Sequence, residues 1–570
     1  MNGQLQMIDY LVFGFYFIVV AGYGYWIYQR KRSKEASTTD FFLAEGSLTW
    51  WAIGASLIAS NISAEQFIGM SGSGYKMGLA IASYEWMAAA TLLIVAIFFL
   101  PVYLKNKIYT MPQFLEKRYN STVSMVMAVF WLLLYIVVNL MSILYLGAMA
   151  VKSISDMSIV AIMALMSVFA IAITVGGMKV IGYTDVIQVL VLIIGGVAAT
   201  YIGLETVAAK FGTSGVMNGL STVRAQADDH FHMVFDRSNP NYIDLPGLSV
   251  LIGGMWIANL NYWGCNQYIT QRALGADLKT ARSGLLFAAF LKLFMPLIVV
   301  LPGIIAFVLH QQGDFQQTML DSNGKEDVNK AYSNILSLLP EGLKGLSFAA
   351  LTAAIVASLA GKANSISTIF TLDIYKKAIN PNADERQLVW LGRVTVVVAM
   401  ILAFILALLF GEQLMGEGKQ GFQYIQEYTG FVSPGIFAMF ILGFFWKGTT
   451  SNGALFATIG GFVFSVFLKF LPGMMDLSGL ASIGFSVPVT KKDDAGLEYI
   501  IYEIPFLDRM LIVFTLCVIG MWIISKLELK GRKNPKGLEV DSSMFKISGG
   551  FLAGTLIVAG VLIALYGMFW

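Results

Sequence analysis

The sequence predicts an all-α integral membrane protein of about fourteen membrane-spanning helices, arranged around two five-helix repeats of inverted topology. Three observations carry that expectation. The 570 residues are 57% hydrophobic and only 13% charged, whereas a soluble domain carries about 25% charged residues. Apolar runs of 18 or more residues recur from one end to the other, each long enough to cross a bilayer. Two of these runs, five spans apart, are interrupted by polar residues and glycine, which is the pattern of discontinuous helices in paired repeats.

Taken in order, the expected spans are 9–28, 51–70, 79–103, 124–151, 157–175, 182–202, 248–269, 282–310, 345–375, 389–412, 421–446, 452–470, 504–525 and 548–570. The loops 203–247, 311–344 and 471–503 are short polar surface excursions rather than soluble domains. The chain therefore divides into residues 1–50 (a peripheral first span and loop), 51–202 (first repeat), 203–247 (an extracytoplasmic loop), 248–446 (second repeat) and 447–570 (peripheral spans). With an even number of spans both termini share a side. The loops opposite them carry about twice as many Lys and Arg as the loops beside them, so both termini are expected outside a plasma (bacterial inner) membrane. Basic residues follow the first span rather than precede it, and no small-x-small site closes it, so it reads as a span and not a cleaved signal.

The second span is the most informative. SLIASNISAEQFIGMSGSGY begins as an apolar helix, turns polar at Ser60, Asn61, Ser63, Glu65 and Gln66, and runs out through Gly69, Gly72 and Gly74. Hydrocarbon offers no partner to an exposed backbone group, so irregular backbone at membrane depth must line a cavity or be buried in protein. The seventh span, GMWIANLNYWGCNQYI, is interrupted in the same manner through Asn259, Asn261, Tyr262, Gly264 and Asn266. Other ionisable or amide residues inside spans are Tyr84 and Glu85 in the third, Asn139 in the fourth, Asp185 and Gln188 in the sixth, and Lys292 in the eighth. Such residues are costly in a membrane and mark functional sites, although single Asn and Ser residues also serve as contacts between helices.

The residue types suit a neutral polyhydroxylated ligand. Sugar hydroxyls donate and accept, Asn and Gln answer with both functions, a carboxylate accepts two hydroxyls and an ammonium donates. Tyr262, Tyr84 and Phe422 are placed to stack on a pyranose or to block its exit. An ion also has a candidate place: the ninth span offers Ala354, Ala357 and Ser358 opposite the break at Ala59–Ile62, where freed carbonyls and a hydroxyl make an oxygen site suited to sodium.

Other classes fit less well. The net charge of +3 is spread over the loops and calls for no nucleic-acid partner, and Cys265 and Cys517 both fall inside spans, against a disulfide or zinc. His230, His232 and His310 show no ligand spacing. No Ser/His, paired-Asp or HExxH arrangement lies in a span, so an enzyme is not expected. Nor is a membrane sensor, since no kinase-like segment is present.

The motifs SLIASNISAEQFIGMSGSGY, IASYEWM, ANLNYWGCNQYI followed by QR, FAAFLKL, FQYIQEYTG, VSPGI and PKGLEVDSSMF occur in this order along nearly the whole chain. In them the sequence resembles the sodium:solute symporter family. The resemblance implies a LeuT-type inverted-repeat fold and sodium-driven secondary transport, with galactose or glucose the expected solute and sodium the co-transported ion. It implies sugar contacts at Gln66, Glu85, Asn259, Lys292 and Gln426, completed by Asn61 and Asn139. It implies an inner gate at Tyr262, an outer gate at Met70, Tyr84 and Phe422, and a sodium site at Ala59, Ile62 and Ala354 (carbonyls) with Ser358 (hydroxyl). The alternative solutes are myo-inositol, a sialic acid and proline. Of these, a sialic acid would find Lys292 for its carboxylate but Glu85 repelling it.

Three departures from the family pattern stand out. Ala88 replaces a serine near the sugar, Ala357 replaces one of the paired serines of the ninth span, and Ala357, Ala360 and Gly361 lack the hydroxyls that hold a second sodium near the aspartate matching Asp185. One sodium per cycle is expected. Lys362 is foreign to this setting, and Asp185 is its expected partner.

Overall fold

The computed structural model describes residues 5–31, 49–63, 65–108, 110–152, 155, 157–175, 178–321, 324–415, 420–492, 497–532 and 534–570. Among them, ten helices are long and apolar enough to cross a membrane, and two bent pairs raise the number to as many as twelve. The count of fourteen is thus not reached by long helices alone. Helix Ile159–Val175 is a shorter apolar helix, and the end of the expected second span joins the third in one helical run, Glu65–Lys105, while its start is the separate helix Trp50–Asn61.

That run is not straight. Helix Ser71–Met77 ends at Gly78, whose φ of 71° lies in the left-handed region, and a Cβ there would stand 2.3 Å from the His230 carbonyl oxygen. Only glycine meets both conditions without strain. The backbone at Gly78 packs here directly against the loop that follows residue 210.

The first predicted break is present. Helix Trp50–Asn61 stops at Ile62, and a π-helical turn, Glu65–Met70, resumes the path into Ser71–Met77. The second break needs correction. Helix Gly254–Cys265 runs unbroken through Asn259, Asn261, Tyr262 and Gly264, and the chain bends by 75° at Gly253 and turns extended at Asn266. The polar residues are therefore carried by an intact helix whose two ends are broken. A further bend of 48° separates Gly421–Thr429 from Ser433–Phe445.

Burial sorts the helices. In Leu343–Ile379, 89% of the apolar window is buried in protein, against 11% in Gly549–Met568. The former is the centre of the bundle and the latter faces outward with Leu556, Ile557 and Ile563 exposed, as a lipid-facing helix does. Helix Trp50–Asn61 packs on Leu278–Val299 and Leu343–Thr368.

Helix ends at membrane depth need partners for their free backbone groups. Asp9 Oδ1 accepts from Gly342 N and Gly345 N at 2.8 Å each, capping the start of the central helix from the first span. The fully buried Arg118 guanidinium donates to the carbonyls of Gly443, Trp446 and Thr449, closing the other end of Ser433–Phe445. The loop 471–503 carries an antiparallel hairpin, Val487–Lys492 with Glu498–Glu503, which the expectation of an all-α chain did not include.

Candidate functional site

The first break owes its form to its own side chains. Ser63 N gives its proton to Gln66 Oε1 (3.0 Å) and Glu65 N to Ser63 Oγ (3.2 Å). In a continuous helix these two N–H groups would bond Ala59 O and Asn61 O. Those carbonyls are thereby released, while Ile62 O receives the Ser358 hydroxyl at 3.2 Å. Ala59, Ile62, Ala354 and Ser358 are all buried. The four residues expected around the ion thus lie where the broken helix meets the central helix, and two of them are in direct contact.

A cavity opens next to this break, with about 890 Å³ of space between atoms, open solvent included. All seven residues expected to contact the solute line it: Asn61, Gln66, Glu85, Asn139, Asn259, Lys292 and Gln426. Its centre is charged. Lys292 Nζ donates to both Glu85 Oε2 and Asn61 Oδ1, and stands 5.3 Å from the centroid of the Trp263 ring. Glu85 and Lys292 are 3% and 1% exposed, so each is the principal neutraliser of the other. Breaking such a pair on one side costs far more than removing it whole.

The remaining amides differ in how committed they are. Gln66 spends its oxygen on Ser63, and among the described residues no partner is seen for its Nε2; Asn259 Nδ2 donates to Met255 O at 3.1 Å, leaving its oxygen. Asn61 Nδ2 reaches Tyr262 Oη at 3.4 Å. The cavity wall therefore presents donors and acceptors together.

The expected gate residues lie on both sides. Tyr84 and Phe422 meet edge to face at 4.9 Å, and Met70 is fully buried. Gly69 lets the broken helix touch this barrier, since a Cβ there would lie 2.8 Å from Phe422 Cβ. Beyond it, Gln420 joins Ser73 Oγ (3.1 Å) to Asp244 Oδ2 (3.1 Å), tying the broken helix, the chain before Gly421–Thr429 and the loop 203–247 together. This side is shut, whereas Tyr262 and Asn266 keep partial exposure.

Several lining residues were not in the expected set. Asn261 Nδ2 donates to Ser433 Oγ at 3.1 Å, and Trp263 faces Lys292. Polarity flagged Asn261, but no sequence signal gives the rotation that aims Trp263 inward. Glu65 and Lys362 also line the cavity, and each feels the charge of the other. The Asp185 side chain lies outside the described residues, so its expected partnership with Lys362 rests on the sequence. Ala88, which the family resemblance placed near the solute, lines the wall. Among the described residues, no group of three His, Cys, Asp or Glu suits a transition metal.

The model of the sodium:solute symporter family matches residues 41–461. The chain is 46% identical to a sodium/glucose cotransporter of Vibrio parahaemolyticus, over 99% of both chains. It is 34% identical to the human sodium/myo-inositol cotransporter 2, over 80% of this chain and 69% of that one. Among solved structures, a Na+-coupled sialic acid symporter in a substrate-bound outward-open state superposes with a TM-score of 0.72 at 22% identity, covering 92% of this chain and 98% of that one. At that identity the likeness speaks for the fold alone.

Proposed function

The chain belongs to the sodium:solute symporter family, and we propose that it is a secondary active transporter, not an enzyme, that carries a hexose into the cell together with sodium by alternating access. The observation that carries this reading is that one broken helix serves both partners. Its Asn61 and Gln66 line the polar cavity, and its Ile62 carbonyl meets Ser358 of the central helix. The identity of 46% over the full length to a sodium/glucose cotransporter favours glucose or galactose over inositol, whose transporter is 34% identical over a shorter part.

The chemistry follows from the contacts. A sugar hydroxyl both donates and accepts, so it can enter the Lys292–Glu85–Asn61 cluster without leaving a charge unpartnered. Gln66, Asn139, Asn259 and Gln426 supply amide contacts, with Met70, Tyr84 and Phe422 as outer gate and Tyr262 as inner gate. Sodium takes the released Ala59 carbonyl, those of Ile62 and Ala354, and the Ser358 hydroxyl, bridging the broken and central helices. A site spanning two helices favours the arrangement in which both ligand halves face each other. Sugar and ion then prefer the same state, and the coupling is reciprocal. At 100 mV one sodium contributes about 2.3 kcal/mol, or roughly fiftyfold accumulation of sugar before its own gradient is counted.

One sodium per cycle is the reading for Ala357, Ala360 and Gly361, which bring no hydroxyl, with Lys362 and Asp185 as an accompanying charge pair. Fourteen crossings follow if the run Glu65–Lys105 is counted as two legs about Gly78 and the shorter Ile159–Val175 is added. Residues 51–202 and 248–446 then form the inverted repeats, residues 1–50 and 447–570 the periphery, and the termini lie outside the plasma membrane. Uptake of labelled galactose into proteoliposomes, with sodium or potassium outside, tests the reading. It is supported by sodium-dependent uptake that unlabelled glucose suppresses, and overturned if only inositol, a sialic acid or proline competes.

A further inference from the structure

The short helix Gln267–Leu274 has no part in the scheme above, yet each of its described side chains is buried. It follows helix Gly254–Cys265 after the extended residue Asn266, so it is jointed to that helix rather than continuous with it. Two neighbouring side chains tie it to the two helices that carry the proposed ion ligands. Arg272 Nε donates to Ser56 Oγ of the broken helix at 3.0 Å, and Gln271 Nε2 donates to Ser365 Oγ of the central helix at 3.1 Å.

Helix geometry sets the level of these contacts. Ser56 lies six residues before Ile62, and Ser365 lies seven residues after Ser358 on the same face. At a rise of 1.5 Å per residue, both stand about 10 Å from the contact between Ile62 and Ser358. The displacement is away from the shut outer gate, since Met70 follows Ile62 along the broken helix and Ser56 precedes it. Lys362 falls between the two levels, where it borders the sugar cavity. Helix Gln267–Leu274 thus bridges the broken and central helices beneath the ion position, on the side by which sodium leaves in the proposed cycle. Its amide is held from behind as well: Gln271 Oε1 accepts from Gln267 Nε2 (3.3 Å), and Gln267 Oε1 from Met111 N (2.7 Å). Ser365 in turn gives its proton to Gly361 O at 3.2 Å.

The sugar cavity is closed differently. Tyr262 and Asn266 keep partial exposure, whereas Ser56, Gln271, Arg272 and Ser365 are all buried. We infer that Gln271 and Ser365 form a sodium gate separate from the sugar gate at Tyr262. Their bond holds helix Gln267–Leu274 across the inward route of the ion, and its opening, by a swing about Asn266, releases sodium. This rests on the reading of Ile62 and Ser358 as the ion site. Gln271 touches neither ligand, so it is a positioning residue. One neutral hydrogen bond shifts such an open–closed balance by about fivefold, enough to limit leakage and little enough to open in every cycle.

The test is sodium-22 entry into proteoliposomes without sugar, measured beside sodium-driven glucose uptake. The proteins compared are the intact chain, Gln271→Leu, Ser365→Ala, the double variant, and Ser365→Thr, which keeps the hydroxyl. Each of the first two single variants raises sugar-free sodium entry about fivefold. The double variant raises it no further, because all three lack the same bond, and Ser365→Thr stays within twofold of the intact protein. KM for glucose at saturating sodium stays within twofold throughout, which a generally loosened fold would not allow. Unchanged sugar-free sodium entry in Gln271→Leu and Ser365→Ala, with glucose uptake preserved, overturns the gate and leaves the symport reading intact. A rise matched by an equal rise in KM for glucose overturns it too. Absence of sodium-dependent glucose uptake by the intact protein overturns the symport reading and the gate with it. Should either single variant not fold, the other decides alone by the same criterion.

Discussion

Replacing Glu85 separates the two roles of the buried pair. In Glu85→Gln the side-chain volume is kept, but among the described residues Lys292 retains only Asn61 and the Trp263 ring at 5.3 Å as partners for an ammonium that is 1% exposed. Breaking one side of a buried ion pair costs about 3–5 kcal/mol. The Trp263 contact is present with or without Glu85 and offsets none of this, so a stability loss of that order follows. The sugar also loses its charged acceptor, and a hydrogen bond to a charged group is worth about 1.5–3 kcal/mol, or roughly 10- to 150-fold in KM. The double variant Glu85→Gln with Lys292→Met removes both charges, so it regains most of the stability but none of the affinity. Thermal unfolding in detergent and sodium-driven uptake read the two effects separately. If Glu85→Gln unfolds normally and its KM for glucose moves by less than twofold, the pair is neither buried in the manner described nor part of the sugar site.

Ser358→Ala removes the only side-chain oxygen at the proposed ion position, so half-saturation by sodium should rise about tenfold while KM for sugar at saturating sodium stays within twofold; equal sodium curves would disprove the assignment. Gly69→Ala places a methyl 2.8 Å from Phe422 Cβ, and overpacking of about 1–3 kcal/mol should lower the maximal uptake rate several-fold through impaired gate closure. An unaltered rate would show that Gly69 and Phe422 do not meet during the cycle. His230 anchors the loop 203–247 by its 3.0 Å contact with the Tyr75 carbonyl and its stacking on Phe307. Burial holds its imidazole below the ordinary value of 6.5, against the Tyr75 contact and Asp229, which raise it. As pH falls through 6.5 the released loop binds the proton first, so docking weakens on acidification and is unaffected above that range. Hydrogen exchange at residues 227–235, corrected for intrinsic rates, should therefore quicken from pH 7.5 to 5, and His230→Phe should abolish that trend.

What could be read in the sequence was set by polarity at membrane depth. Ser60 to Gln66 interrupts an apolar run, and the break stands there because Ser63 and Gln66 bond the backbone that the helix leaves. The seventh span misled for a physical reason. Asn259 and Asn261 look like breakers, but as short amides they bond the helix behind or its neighbour, Asn259 to Met255 O and Asn261 to Ser433, and the helix survives. The bend falls instead at Gly253, the first of a Gly-Gly pair that is the stronger break signal in this apolar stretch. The hairpin in loop 471–503 did leave a signal, since VPVTK and EYIIYE alternate or carry β-branched and aromatic residues on either side of a polar sequence. Residue identity named Glu85 and Lys292 as cavity candidates. The rotation of each helix, which no local pattern encodes, brought Trp263, Glu65 and Lys362 to the same wall.

The central claim is that sodium and a hexose move together through one site built on the broken helix. Parallel measurement of sodium-22 and carbon-14 glucose entry into the same proteoliposomes tests it most directly. The account predicts that each flux is stimulated by the other solute and that they run in a ratio near one sodium per sugar. Glucose entry that proceeds equally well in potassium, with no accompanying sodium flux, would contradict it.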